Sequence, residues 1–369
     1  MKNTFGENVS LTLWGESHGA EIGAVLDGLA PGIAVDEAYI AARLALRRPA
    51  GGISTARREP DPFVIVSGVY RGRTTGTPLC IRIPNTDAHS ADYAPSFGAA
   101  RPGHADYTGY VKYHGFADPR GGGHFSGRLT AALVAAGAIL MGALERKNIV
   151  LATHIRRCAG VDDAPFSESE AECRAQIARL NRTAFAVLDE AAGERMKREI
   201  TAAAADGDSV GGVLETAVVG MPAGVGEPWF DTVEGVLAHA LFSIPAVKGV
   251  EFGWGFAGSD ARGSAYNDPM RMDGTRVVTE TNHGGGIGGG ITNGMPLVYR
   301  CAVKPTPSIA RTQRTVDVRD HSDTEITAAG RHDPAIVHRA RAAADSVSAL
   351  ALCDLLCGRF GTDWLREEQ

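Results

Sequence analysis

Leu129-Thr130-Ala131-Ala132-Leu133-Val134-Ala135-Ala136-Gly137-Ala138-Ile139-Leu140-Met141-Gly142-Ala143-Leu144 is the most apolar stretch of this chain, bounded by Arg128 and Glu145. Sixteen residues fall short of the roughly 20 that a helix needs to cross a bilayer, so the stretch reads as a buried helix. Ser126 stands where a helix cap belongs, and the helical pattern continues to about Lys147.

On the N-terminal side, strand patterns cover residues 9–14 and 22–29. A turn at Pro31-Gly32 and a helix capped by Asp36 follow, the helix running to about Arg47. Residues 63–70 and 79–83 read as a hairpin, and residues 84–124, rich in Gly, Pro, Asp and His, read as loops that carry chemistry. On the C-terminal side come a strand near 149–155 and a charged, surface-exposed helical segment at 166–208. A strand over 213–219, a turn over 222–228 and a helix over 231–241 follow. Residues 23–32 and 216–224 share a strand, small-residue turn and helix order, a hint of internal duplication. The last helix is expected from Pro334 to Cys357, with Gly358 as its stop.

At 369 residues and 44% hydrophobic, the chain is long enough for a large core and is not disordered. Its 37 basic residues against 43 acidic ones give a formal charge of -6, which argues against nucleic acid as a partner. Nothing points to a membrane, because the N-terminus has no apolar signal core. The six cysteines contain no Cys-x-x-Cys, and Cys353 and Cys357 are a helical turn apart, so a reduced, cytoplasmic protein is expected.

Three histidine motifs stand out: Gly15-Glu16-Ser17-His18-Gly19, Arg101-Pro102-Gly103-His104-Ala105-Asp106 and Gly330-Arg331-His332-Asp333-Pro334. Gly or Pro beside an imidazole means that the backbone aims the side chain. Arg47-Arg48-Pro49, Arg57-Arg58-Glu59, Arg101 and Arg128 share the same third of the chain as the first two motifs, while Lys304 and Arg331 lie near the end. Arginines in an acidic protein suit a small, multiply anionic ligand, because guanidinium grips carboxylate and phosphate with two hydrogen bonds.

The run Gly284-Gly285-Gly286-Ile287-Gly288-Gly289-Gly290 contains the letters of a dinucleotide fingerprint, yet it leads into a strand-like 297–303 where a fingerprint would open a helix. It reads either as a flexible loop or as a backbone surface for a flat or phosphorylated ligand. Neither a Walker loop nor a His/Cys metal spacing is present, so no metal is implied.

Together with Ser67-Gly68-Val69, Thr74-Thr75-Gly76-Thr77-Pro78, Asn85-Thr86-Asp87, Ala246-Val247-Lys248-Gly249-Val250-Glu251 and Lys304-Pro305-Thr306, the histidine motifs resemble chorismate synthase over nearly the whole chain, in the family's order. The resemblance implies an α+β fold, a β-α-β sandwich of helices between two antiparallel sheets. It implies one such domain over residues 1–369, assembled as a homotetramer.

The reaction it implies is the anti-1,4 elimination of phosphate from 5-enolpyruvylshikimate 3-phosphate to give chorismate, the last step of the shikimate pathway. Reduced FMN is the cofactor, an external flavin reductase the partner and NADPH an indirect reductant. Carried over by motif, His18 would be the acid near the departing phosphate and His104 would protonate or stabilise the reduced flavin. Asp333 would assist proton removal through the flavin. Arg47, Arg48, Arg128 and Arg331 would hold phosphate and carboxylates. His124, Phe125, Ser126, Gly289, Lys304, Pro305, Thr306, Pro307, Ser308 and Arg331 would frame FMN.

Two stretches depart from the usual family pattern. His124-Phe125-Ser126 replaces an Arg-Ser-Ser form, and the loop after Pro49 lacks an arginine often found there. Two rival readings are a non-catalytic paralogue that binds FMN or an anion, and an enzyme that also reduces its own flavin.

Overall fold

The computed structural model describes residues 2–49, 51–54, 60–86, 98–328 and 332–366. The chain opens with β1 (Thr4–Phe5), β2 (Ser10–Gly15), β3 (Glu21–Asp27) and α1 (Glu37–Ala45). Asp36 caps α1, its carboxylate accepting from the Ala38 and Tyr39 amides. The expected hairpin then divides in two. β4 (Val64–Ser67) pairs with β7 (Leu79–Pro84), whereas β5 (Val69–Tyr70) and β6 (Arg73–Thr74) fold back on each other. The resulting sheet has the antiparallel order β1-β2-β3-β7-β4.

Within residues 84–124, expected as loop, lie α2 (Asp106–Lys112) and a 3-10 segment, Arg120–Phe125. α3 (Thr130–Arg146) follows a 3-10 turn that Ser126 caps by accepting from the Arg128 amide. Counted with that turn, the apolar helix is 20 residues, long enough to cross a membrane by composition. However, 78% of its apolar window is buried inside the protein. Its apolarity serves the core.

The second half runs β8 (Val150–Cys158), β9 (Val161–Asp162), α4 (Glu170–Leu180), α5 (Glu190–Ala205), β10 (Gly212–Val219), α6 (Val233–Phe242) and β11 (Val247–Phe252). α7 (Gly263–Tyr266) and two hairpins follow, β12 (Met270–Asp273) with β13 (Arg276–Thr279) and β14 (Ile287–Gly288) with β15 (Ile291–Thr292). β16 (Leu297–Val303), the hairpin of β17 (Gln313–Asp317) and β18 (Ser322–Ile326), and α8 (Val337–Phe360) complete the chain. The second sheet, also antiparallel, has the order β11-β16-β10-β8-β9.

The two sheets repeat one plan. β7 sits between β3 and β4, with α1 connecting β3 to β4; β16 sits between β10 and β11, with α6 connecting β10 to β11. Both outer strands slip register once, at Ile65/Ser67 and at Val247/Gly249. The likeness of residues 23–32 and 216–224 reflects this repeat.

Between the sheets lie α3, packed on β3 and β7, and α8, packed on β8 and β10, with one continuous buried cluster running through both layers. The helices touch where a Cβ on Gly137 would stand 2.3 Å from Ser346 Cβ, so only glycine permits the crossing. Each fully buried leucine or isoleucine here contributes roughly 1.5–3 kcal/mol. This is the sandwich the sequence resemblance implied.

Two expectations need correction. The charged segment 166–208 is two helices with buried stripes, Cys173, Ile177 and Leu180 on α4 and Ala192, Met196 and Ile200 on α5. α4 covers the outer face of the second sheet through Ala152, Ala217 and Val219, so the segment is a packed layer as well as a surface. And α8 passes through the exposed Gly358 to Phe360 and ends at Gly361, because one glycine costs a helix only about 1 kcal/mol and the buried turns before it hold the helix together.

Candidate active site

Gly121, Gly122 and Gly123 form a turn with φ of 60, 99 and 53°. A Cβ on Gly121 would lie 2.2 Å from His18 Cε1, and one on Gly122 would lie 3.2 Å from His104 Cε1. Two imidazoles 86 positions apart in sequence thus rest on consecutive residues of one turn. Only glycine supplies both the backbone angles and the clearance. Ser17 anchors the first ring, with its hydroxyl 3.0 Å from His18 Nδ1 and donating to the Arg120 carbonyl at 3.2 Å, while its amide donates to the Gly123 carbonyl.

Asp106 fixes the second ring. Its Oδ1 lies 2.6 Å from His104 Nδ1, and Arg101 grips both carboxylate oxygens at 2.7 and 2.8 Å. Burial pushes the Asp106 carboxyl up, but the hydrogen bonds from Arg101 and His104 more than reverse this and hold it well below the usual carboxylate range. An ionised Asp106 is an acceptor only, so His104 Nδ1 carries the proton and the ring presents Nε2 for chemistry. The 3.2 Å approach of Arg101 Nη2 to the same Nδ1 is then two donors converging on one oxygen. Arg101 also donates to Ser308 at 3.4 Å, and Gly103 faces Pro307, so the 304–308 loop closes against the His104 motif.

A second network starts from Asp61, which is buried. Arg47 donates to its Oδ2 at 3.1 Å and Arg128 to its Oδ1. Two guanidiniums on one carboxylate leave the group one net positive charge. Arg128 also holds Asn85 at 3.0 Å, and Asn85 donates at 2.9 Å to the Glu16 and Gly19 carbonyls that flank His18. From Arg47 the chain of bonds runs the other way. Arg339 donates to the Arg47 carbonyl at 2.8 Å and to Asp333 Oδ2 at 2.5 Å. Asp333 is therefore linked to the His18 loop through Arg339, Arg47, Asp61, Arg128 and Asn85. Arg48, exposed, donates to the Pro60 carbonyl at 2.6 Å.

The remaining sequence-derived residues fall into three groups. His124 lies 2.8 Å from the Gly15 carbonyl through Nδ1, Phe125 packs edge-on to Tyr113 and over Gly109, and Ser126 is the helix cap already described. In the 304–308 loop, Pro305 backs onto Gly211, Lys304 donates to the Pro305 carbonyl at 3.5 Å, and Thr306 Oγ1 is buried without a hydrogen-bond partner among the described residues. Gly289 and Gly290 make the two-residue turn of the β14–β15 hairpin, with φ of 62 and 89°. Gly289 faces open space, whereas Gly285, Gly286 and Gly290 each meet backbone atoms within 2.7 Å of a Cβ, which accounts for much of the glycine run. That hairpin is held by the 222–233 segment, apart from the segments that carry the two histidines. Arg331 and Arg57-Arg58-Glu59 lie outside the described residues.

The sequence pattern of the chorismate synthase family matches residues 9–357. The chain belongs to the chorismate synthase family. Among its curated relatives, chorismate synthase of Pyrococcus abyssi is 45% identical over 96% of this chain and 97% of its own length. That of Thermococcus gammatolerans is 47% identical over the same shares. A solved chorismate synthase structure superposes with a TM-score of 0.77 at 26% identity, covering 96% of this chain and 93% of its own. Membership makes the chain a carbon–oxygen lyase that acts on a small molecule and uses a reduced flavin.

Asp61, Asn85, Asp106 and Arg339 join the site beyond the residues assigned by motif. Asp106 was signalled by its place two residues after His104, and Asn85 by its family motif. Asp61 has no sequence signal, since its partners are 14 and 67 positions away.

Proposed function

We propose that the chain converts 5-enolpyruvylshikimate 3-phosphate to chorismate by anti-1,4 elimination of phosphate, with FMN as the flavin. The observation that carries this is the placement of His18 and His104 against consecutive glycines, beside an arginine pair of net positive charge. Phosphate departure needs a proton donor and a cation close together, and His18 with Arg128 and Arg47 supplies that pairing. Asp106 and Arg101 keep His104 in one tautomer, so Nε2 holds or releases a proton at a fixed point. Arg339 donates to Oδ2 of Asp333 and holds in place the carboxylate that would assist loss of the ring proton.

The 304–308 loop fits an anionic cofactor. Thr306 Oγ1 is a buried hydroxyl lacking a partner among the described residues, and the Lys304 ammonium is pushed down by burial and then by the nearby charge of Lys248, a strain that a phosphate would relieve. Lys304, Thr306 and Ser308 would hold the cofactor phosphate, and His124 and Phe125 would contact the rest of the cofactor. Bound reduced flavin supplies the electron density that makes loss of an unactivated ring proton feasible.

Reduction by an external flavin reductase, with NADPH as indirect reductant, belongs to the same proposal, and turnover on NADPH alone would contradict it. A homotetramer is supported by exposed Trp229, Phe230, Phe256 and Met270, which a partner subunit would cover. A cytoplasmic location is supported by six free thiols, five of them buried.

The test is an anaerobic assay with chemically reduced FMN and 5-enolpyruvylshikimate 3-phosphate. Chorismate and phosphate should appear in equal amounts. Folded, flavin-loaded protein that yields neither would overturn the proposal in favour of a binding paralogue.

A further inference from the structure

Residues 47–54 follow α1 and carry Arg47 and Arg48, and they meet the first turn of α8 at two points. Arg339 donates to the Arg47 carbonyl at 2.8 Å, and Ser54 Oγ lies 2.6 Å from His338 Nε2. We propose that His338 is a positioning residue for this arginine segment and, through it, for substrate affinity. The inference rests on the function proposed above.

The His338 side chain is 2% exposed, and its Nδ1 is buried without a partner, so the bond to Ser54 is the one polar contact the ring makes among the described residues. A buried polar ring with a single bond is a poor packing choice, since a leucine of similar size would leave no unpaired atom. What the ring provides is direction. It fixes Ser54 and, with Arg339, clamps both ends of a segment that is otherwise exposed at Arg48, Gly51 and Gly52.

The groups that face the imidazole are Asp333, Arg339 and Arg341, with the Phe185 ring at 6.1 Å. Burial, helped by the two arginines and opposed by Asp333, pushes His338 down to about 4, so the ring is neutral at neutral pH and suited to holding a hydroxyl. Among the described residues, neither His338 nor Ser54 is bonded to the 121–123 turn; their bond is to each other. The Ser54 bond therefore acts on binding, apart from the proton steps of His18 and His104.

The experiment compares His338→Leu, Ser54→Ala, the double variant and His338→Gln in the anaerobic assay, with substrate Kd measured separately by calorimetry. Each single variant should raise KM and Kd roughly five- to tenfold, the effect of one lost hydrogen bond, with kcat within about twofold. The double variant should be no worse than the poorer single one, because both delete the same bond. His338→Gln, whose amide can reach Ser54, should recover most of the affinity. Unchanged KM and Kd, or losses in kcat that track the melting temperature, would overturn the inference. A wild type that binds substrate but releases no phosphate would sink the proposed activity and leave His338 to be judged on Kd.

Discussion

The two halves of the molecule share a strand order and a helix plan, yet they use buried polar groups differently. Between β2 and α3, the first half gathers His18, Arg47, Asp61, Asn85, His104, Asp106 and Arg128 around long connections. The second half places His154 in the middle of β8, wholly buried, with Nδ1 2.9 Å from Asp163 and Nε2 3.0 Å from Glu215. Glu215 also accepts from the Phe166 amide, and Asp163 from those of Leu188 and Asp189. That cluster staples the α4–α5 layer to the sheet. One plan thus supports chemistry where its connections are open, and cohesion where a helical layer covers it.

The sharpest break of this comparison is in the first half. His18→Ala and His104→Ala should each slow turnover by roughly a hundred- to ten-thousandfold, the range for losing a general acid or base, with melting temperature and substrate Kd nearly unchanged. Steady-state kinetics beside a melting curve decide it. Wild-type turnover in both variants would make the imidazoles structural.

Asp333→Asn keeps the side-chain shape and its bond to Arg339 while removing the negative charge. Turnover should fall by at least about tenfold. A substrate deuterated at the ring carbon should show a larger isotope effect in the variant than in the wild type, which a packing role would not produce.

In the second half the expected loss is in stability. Burial opposes charge on His154, but its bonds to Asp163 and Glu215 outweigh this and raise it above the usual imidazole value. Asp163 is also penalised by burial, and the bonds from His154 and the two amides bring it below the usual carboxylate value. For His154 the stabilisation is complete below the unfolded value of about 6.5 and is lost as pH rises through the folded one. For Asp163 it is present above about 4 and lost on acidification. His154→Leu leaves two buried carboxylates without their cation and should cost about 3–5 kcal/mol, while turnover per folded molecule stays the same. Denaturant melts across pH should show the gap to wild type narrowing on the alkaline side. A turnover defect without a stability defect would erase the distinction between the halves.

Much of this is readable in the sequence. The apolar 129–144 stretch located the central helix, Asp36 its cap on α1, and the strand-turn-helix echo at 23–32 and 216–224 the repeat of the two sheets. α2 escaped because Tyr107, Tyr110 and Val111 face solvent and leave no buried stripe to detect. Asp61 escaped because a buried carboxylate shared by two arginines is a tertiary fact, with no spacing to reveal it. In the glycine run, close backbone approaches imitate the letters of a nucleotide motif. The histidine motifs were legible individually, but not that one glycine turn would hold two of them.

That turn is the most direct point of attack on the whole account. Gly121→Ala sets a methyl 2.2 Å from the present position of His18 Cε1 and strains a residue with φ of 60°, so the ring must move while the core is untouched. The measurement is kcat of this variant under anaerobiosis with reduced FMN, alongside its melting temperature. The account predicts a folded protein whose kcat is down by about a hundredfold or more, approaching that of His18→Ala. A folded Gly121→Ala protein that turns over at the wild-type rate would contradict it.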